Sequence, residues 1–312
     1  MELKRSLRPR LRRTLVLVGL VQLVALAIAS TSIADIPKAG PLSLETSPNW
    51  SGYAATNDIR DTTPVIYTYV TGTWTVPKVT CRKGNVNKNV AESSTVFVGL
   101  GGYATLKQQQ IGTDGNCTKK GIPNYYPWFE VVPYRSYPIS IKNRKVDAGD
   151  TVKGVVKILT SKLLKERKYV KLKVRLQMFN LTKGWEFHTD ISWSLPDTTS
   201  ANLIVSAPAT CVHLICNEAS LTNFGTVNMR DISIVGDDVT GTLIHKGWRV
   251  VPIRLVPTLL YVPTIDPEAT EVTTRAGRKG QAKSPAGATP SGLSPNGDSF
   301  SVKWIPNARK GV

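Results

Sequence analysis

Helical periodicity is almost absent from this chain, and that absence confines it to all-β folds. Short runs rich in Val, Thr, Ile, Tyr and Trp recur between turn clusters: YTYVTGTWTVP, STVFVGLGG, YYPWFEVVP, DTVKGVVKIL, YVKLKVRLQMFN, EFHTDISWSLP, SANLIVSAP, FGTVNMRDISIVG and SFSVKWIP. β-Branched and aromatic residues suit a pleated, half-buried surface. Many such runs with Gly/Pro punctuation predict a sandwich or barrel. SANLIVSAP, residues 200–208, alternates strictly. Ala201, Leu203, Val205 and Ala207 share a face that reads as core, whereas Asn202, Ile204 and Ser206 share one suited neither to water nor to a core.

The first 34 residues have another character. Lys4, Arg5, Arg8, Arg10, Arg12 and Arg13 precede an apolar run from Leu15 to Ala29, and Ser32-Ile33-Ala34 supplies small residues for a signal peptidase. Residues 1–34 therefore read as an export signal, followed by a linker over 35–47 and a secreted or envelope-associated protein. The alternative is an uncleaved anchor, although a spanning helix wants about 20 apolar residues.

Export makes the cysteines interpretable. Cys81, Cys117, Cys211 and Cys216 are an even set in an oxidising compartment, open to three pairings. The short spacing in CVHLIC favours Cys211–Cys216, leaving Cys81 for Cys117. With no Cys-x-x-Cys and three scattered His, no metal is expected, nor any other cofactor.

The formal charge is +18, and a chain without the leader stays near +13. The bases cluster in KNRK (142–145), KLLKERKYVKLK (162–173) and the tail, without aromatic interleaving. This argues against specific nucleic-acid binding and leaves a solvated face, or one drawn to anionic cell-envelope polymers.

No G-x-S-x-G is present, and nothing links a Ser to a His. What remains is a set of polar residues on apolar strands: Gln108, Gln109, Gln110, Asp114, Glu130 and the face of SANLIVSAP. Glu130 shares a face with Trp128 and Val132, where a charge is costly unless hydrogen-bonded or set in a wet cleft.

Taken in order, NWSGYAAT (49–56), TYVTGTWTVP (68–77), STVFVGLGG (94–102), QQIGTD (109–114), YYPWFEVVP (125–133), SANLIVSAP (200–208), LTNFGTVNM (221–229) and SGLSPNGDSFSVKW (291–304) resemble the glutamic peptidases, or eqolisins. The resemblance spans 48–304, with a flexible excursion expected over 266–295 and a tail over 305–312. It implies a sandwich of two large antiparallel sheets, a concanavalin-like jelly roll with one sheet curved into a substrate cleft; a monomer is expected. It also implies acid endopeptidase chemistry on protein or peptide substrates. In that chemistry a glutamate activates water and a glutamine amide holds it and donates to the oxyanion. QQIGTD resembles the family's L-Q-T-G-x-D, so Gln110 looks like the catalytic glutamine and Asp114 its neighbouring carboxylate. Trp50 resembles the cleft tryptophan of NWSGY and Glu130 a cleft glutamate, and Trp128 is expected to line the same substrate groove.

Two departures stand out. Phe97 replaces a tryptophan and Gly101 an aspartate of T-W-V-G-I-D. Where the family reads close to S-A-E-W-I-V-E-A-P, Asn202 replaces the first glutamate and Ser206 the second, which the resemblance makes catalytic. Serine is no general base. The expectation is an exported peptidase-family protein with impaired or altered activity, in which Gln110, Glu130 and Ser206 lie within about 10 Å of one another around one substrate. The alternative is a catalytically silent sandwich that binds peptides or envelope polymers.

Overall fold

A computed structural model describes residues 43–57, 62–81, 92–118, 120–139, 143–159, 172–193, 196–212, 215–218, 220–257 and 286–308. Among these are nineteen strands and no helix. They begin with β1 (Glu45–Ser47), β2 (Trp50–Thr56), β3 (Tyr67–Thr75), β4 (Glu92–Gly101), β5 (Gln108–Cys117), β6 (Pro123–Val132) and β7 (Tyr137–Pro138). β8 (Thr151–Ile158), β9 (Leu172–Asn180), β10 (Trp185–Trp193), β11 (Ser200–Ser206), β12 (Ala209–Val212) and β13 (Ile215–Glu218) follow. The chain continues with β14 (Ser220–Leu221), β15 (Thr226–Gly236), β16 (Val239–Gly241), β17 (Arg249–Leu255), β18 (Gly287–Pro290) and β19 (Phe300–Ile305).

Pairing traces two layers. One runs β1–β17–β2–β11–β4–β5–β6–β7, the other β18–β19–β15–β3–β8–β9–β10, and a single residue pair, Leu255 with Ala288, joins them at a corner. The pairs are antiparallel except β1–β17 and β14–β4. The predicted sandwich is thus the observed architecture. In β9, buried Leu172, Val174, Leu176 and Met178 alternate with more exposed residues, as befits a layer with one wet face. β4 is buried throughout and β11 likewise, which marks the centre of the first layer.

The main core lies between the layers. Ala201, Leu203 and Val205 of β11 and Val96, Val98 and Leu100 of β4 meet Val70, Trp74, Val152 and Val156 of the other layer. Buried polar bonds also cross the core: Trp74 Nε1 donates to Thr113 Oγ1 at 2.9 Å and the Tyr67 hydroxyl to the Thr56 carbonyl at 3.1 Å. At the open edge, Phe129 stacks on Phe187 across the layers and on Tyr137, with ring centroids 5.6 and 5.5 Å apart. Arg135 covers Tyr137 and Arg144 covers Phe187, so a cation caps each end of the stack.

Cys81 and Cys117 form the expected disulfide, closing 36 residues of chain. Cys211 and Cys216 are direct partners in the β12–β13 hairpin, but their side chains lie outside the described residues. The export signal at 1–34 also lies outside them, as do residues 266–285 of the expected excursion and the end of the tail. Two strands occupy segments expected to be irregular. β1 falls in the 35–47 linker, and β18 falls inside 266–295, where Gly287–Pro290 pair with β19 over four residues. Composition missed both because an edge strand needs only backbone partners.

Candidate active site

Five neighbouring strands, β2–β11–β4–β5–β6, lay their residues out in rows. One row holds Ala54, Asn202, Gly99, Gln110 and Glu130. Two residues along the strands stand Gly52, Ile204, Phe97, Gly112 and Trp128, and two further stand Trp50, Ser206, Thr95, Asp114 and Tyr126. The intervening residues, among them Tyr53, Leu203, Val98, Ile111 and Val131, point into the main core. All three rows therefore occupy the opposite face of the layer, and the period of two puts Asn202, Ile204 and Ser206 there together.

The middle row is apolar. Phe97, Trp128, Ile204, Ala54, Val251 and Ile253 form a second hydrophobic cluster, with Trp50, Tyr103 and Tyr126 at its margin. Phe97 meets Trp50 and Trp128 edge-on, at 5.8 and 6.2 Å between centroids. The strands close up here because Gly112 has no side chain: a Cβ would lie 2.4 Å from the Val96 carbonyl oxygen and 2.7 Å from Phe97 Cβ.

The first row is polar. Gln110 Nε2 donates to Glu130 Oε2 at 2.6 Å, a directly opposed cross-strand pair. Burial pushes the half-buried Glu130 carboxyl up; the Gln110 hydrogen bond pulls part of that back, and the charge of Asp114 adds to the rise. Across Gly99 from Gln110 stands Asn202, fully buried, whose Nδ2 donates to the Gly101 carbonyl at 2.5 Å. Gln110 Oε1 and Asn202 Oδ1 are buried acceptors without a hydrogen-bond partner.

The third row contains the other carboxylate. Thr95 Oγ1 donates to Asp114 Oδ1 at 2.6 Å, and Asn116 Nδ2 to the Tyr126 hydroxyl at 3.0 Å. Burial raises the Asp114 pKa, with hydrogen bonds led by Thr95 pulling the other way.

The arrangement brings Gln110 and Glu130 together and keeps Ser206 apart. Ser206 is on the same face but in the row of Thr95 and Asp114, four residues along β11 from Asn202, or about 13 Å at the rise of a strand. Gln109 turns to the core side, where its amide reaches the Asp197 backbone N–H and carbonyl at 3.3 and 3.1 Å. Asp197 is the participant that gave no sequence signal. Its buried carboxylate accepts from Gly102 N at 3.1 Å, from Thr199 N at 2.9 Å and from the hydroxyls of Thr199 and Thr105. It thereby ties the turn after β4 to the start of β11. Among the described residues, no group of three or more His, Cys, Asp or Glu is arranged to hold a metal ion.

Residues 48–273 match the Peptidase A4 family. The chain belongs to that family. The fold agrees with this membership: a crystal structure of scytalido-glutamic peptidase with a transition state analog inhibitor superposes with a TM-score of 0.55 at 17% identity, covering 83% of this chain and 99% of that one. Aspergilloglutamic peptidase from Aspergillus niger gives 0.44 at 18% identity, covering 69% and 99%. SCP-B, described as an eqolisin in a complex with the tripeptide Ala-Ile-His, gives 0.45 at 19%, covering 62% and 82%. A search of curated proteins finds no match. In this Peptidase A4 member Gln110 and Glu130 are hydrogen-bonded on one face, and β11 contributes no carboxylate to their row.

Proposed function

We propose that this protein is an exported peptide hydrolase of the glutamic type, working at acidic pH through Gln110 and Glu130. The observation that carries the reading is the 2.6 Å bond between Gln110 Nε2 and Glu130 Oε2 on an aromatic-lined face. A carboxylate with a raised pKa can take a proton from water as it attacks the peptide carbonyl and return it to the departing amine. The Gln110 amide orients that water and meets the developing oxyanion. Ser206 has no part in these steps.

The same rows support a reduced rate, since Asn202 and Ser206 stand where the family resemblance places glutamates; loss of a positioned base costs about 10²–10⁴-fold. That loss also favours a second reading, a silent cleft that binds peptides without cutting them. Export rests on the leader and on the Cys81–Cys117 bond. One assay separates the readings: incubation with a denatured protein between pH 2 and 7. Fragments should form with wild type and Ser206→Ala and be absent with Glu130→Gln. Cleavage that survives Glu130→Gln would overturn the assignment, and no cleavage by any form would favour the silent cleft.

A further inference from the structure

Three side-chain amides converge on Gly99. Gln110 comes from β5 on one side and Asn202 from β11 on the other. The third belongs to Gln108, two residues before Gln110 and on the same face of β5. Gly99 has no side chain, and the Gln108 amide packs closely over it: a Cβ on Gly99 would lie 3.1 Å from Gln108 Nε2 and from the Gln109 carbonyl oxygen, and 3.2 Å from Gln110 Cβ. Gln108 is 6% exposed and Gln110 7%, so these amides are withdrawn from bulk water.

Their hydrogen bonds are unequal. Asn202 Nδ2 is committed to the Gly101 carbonyl at 2.5 Å, and Gln110 Nε2 spends one hydrogen on Glu130 at 2.6 Å. Gln108 Nε2 is buried and donates to nothing. Leaving such a donor unmatched is costly, a penalty that a substrate oxygen would relieve. Two other buried amide oxygens of this face, Gln110 Oε1 and Asn202 Oδ1, also lack partners. They suit the hydrogens of a water or a substrate N–H and would repel an oxyanion, which leaves the oxyanion to donors.

We infer that Gln108 is a second oxyanion donor, acting with the remaining hydrogen of Gln110 on the carbonyl oxygen of a bound peptide. This rests on the hydrolase reading and adds to it a residue outside the glutamine–glutamate pair. When water adds to the carbonyl carbon, the C=O π electrons move onto oxygen, and the Gln108 N–H receives that charge while Glu130 takes the water proton. No bond to Gln108 forms or breaks.

The test compares two probes on the full chain: pentapeptides, randomised outside the central position, carrying there either a phosphinate or a reduced CH2–NH amide. The first presents tetrahedral oxygens where the oxyanion forms; the second has no oxygen there. Titration calorimetry on wild type, Gln108→Leu and the longer-chain Gln108→Met, each checked by circular dichroism, gives the readout. Removing one oxyanion donor typically costs about 10²–10³-fold. Phosphinate affinity should accordingly fall about 100-fold in both variants, with reduced-amide affinity unchanged. Equal losses on both probes, or none on the phosphinate, would overturn the role of Gln108 and leave the hydrolase reading standing. If wild type binds neither probe, the hydrolase reading falls and this inference with it.

Discussion

Asp197 stands where a side chain on Gly101 would have to go. A Cβ on Gly101 would fall 2.5 Å from Asp197 Cβ and 2.7 Å from its carboxyl carbon, and Gly101 has a φ of +75°. The family resemblance gives position 101 an aspartate, so restoring one looks, from sequence, like a repair. The geometry predicts the reverse. Gly101→Asp should destabilise the fold by about 2–4 kcal/mol, from the left-handed backbone and from displacement of Asp197. Urea unfolding measures this, and a loss below about 0.5 kcal/mol would show that the turn rearranges freely.

A carboxylate on β11 should act from position 202, because that residue, and not Ser206, shares a row with Gln110. Asn202→Asp preserves side-chain shape and should raise acid-pH hydrolysis of a denatured protein at least tenfold, within the range of a general base. Ser206→Glu should change it little. The reverse ranking would mean that substrate lies across the row of Thr95 and Asp114.

Glu130 links stability to pH with a definite sign. Its folded pKa is raised, so between the ordinary glutamate value of about 4.3 and the folded value the native state holds more protons than the unfolded one. Stability from this group is full below the ordinary value and declines as pH climbs through the window. Glu130→Gln removes the titration. The variant should be inactive yet gain stability relative to wild type as pH rises from 4 to 7, which melting curves at several pH values would reveal. A constant difference across that range would refute the shift.

Activity should follow the same group. As base, Glu130 must be ionised, so the acid limb of kcat/KM should lie above about 4.3. The charge of Asp114 contributes to the raised pKa, so Asp114→Asn should move that limb to lower pH. An unmoved limb would separate Glu130 from the pH dependence.

Reduction of Cys81–Cys117 removes a cross-link over 36 residues. The chain-entropy relation gives about 3–4 kcal/mol for such a loop, so a reducing agent should lower the melting temperature by many degrees. Non-reducing peptide mapping tests the second bridge, Cys211–Cys216, whose backbones already pair.

The strands and their faces were legible because alternation is local: Ala201, Leu203 and Val205 show a core face within seven residues. The family was legible in eight ordered motifs. Register was not. That Gly99 falls between Gln110 and Asn202 depends on how three strands distant in sequence slide against one another, and a shift of two residues would have put another row there. The expectation for Ser206 came from matching motifs end to end, which fixes residue order but not which residues stand abreast. Asp197 was invisible for another reason. It follows a proline in a loop, and although Thr199 beside it supplies two donors, the other two, Gly102 N and Thr105 Oγ1, come from a turn distant in sequence.

The Cys81–Cys117 bond has a consequence for a protein that would work among peptidases, its own copies included. The segment it encloses carries Gly99, Gln108 and Gln110, together with the turn after β4, where Leu106 is 90% exposed. That turn is the natural place for a nick. A chain cut there stays one covalent molecule, its two new ends held in adjacent antiparallel strands, with every amide of the site still carried on an attached piece.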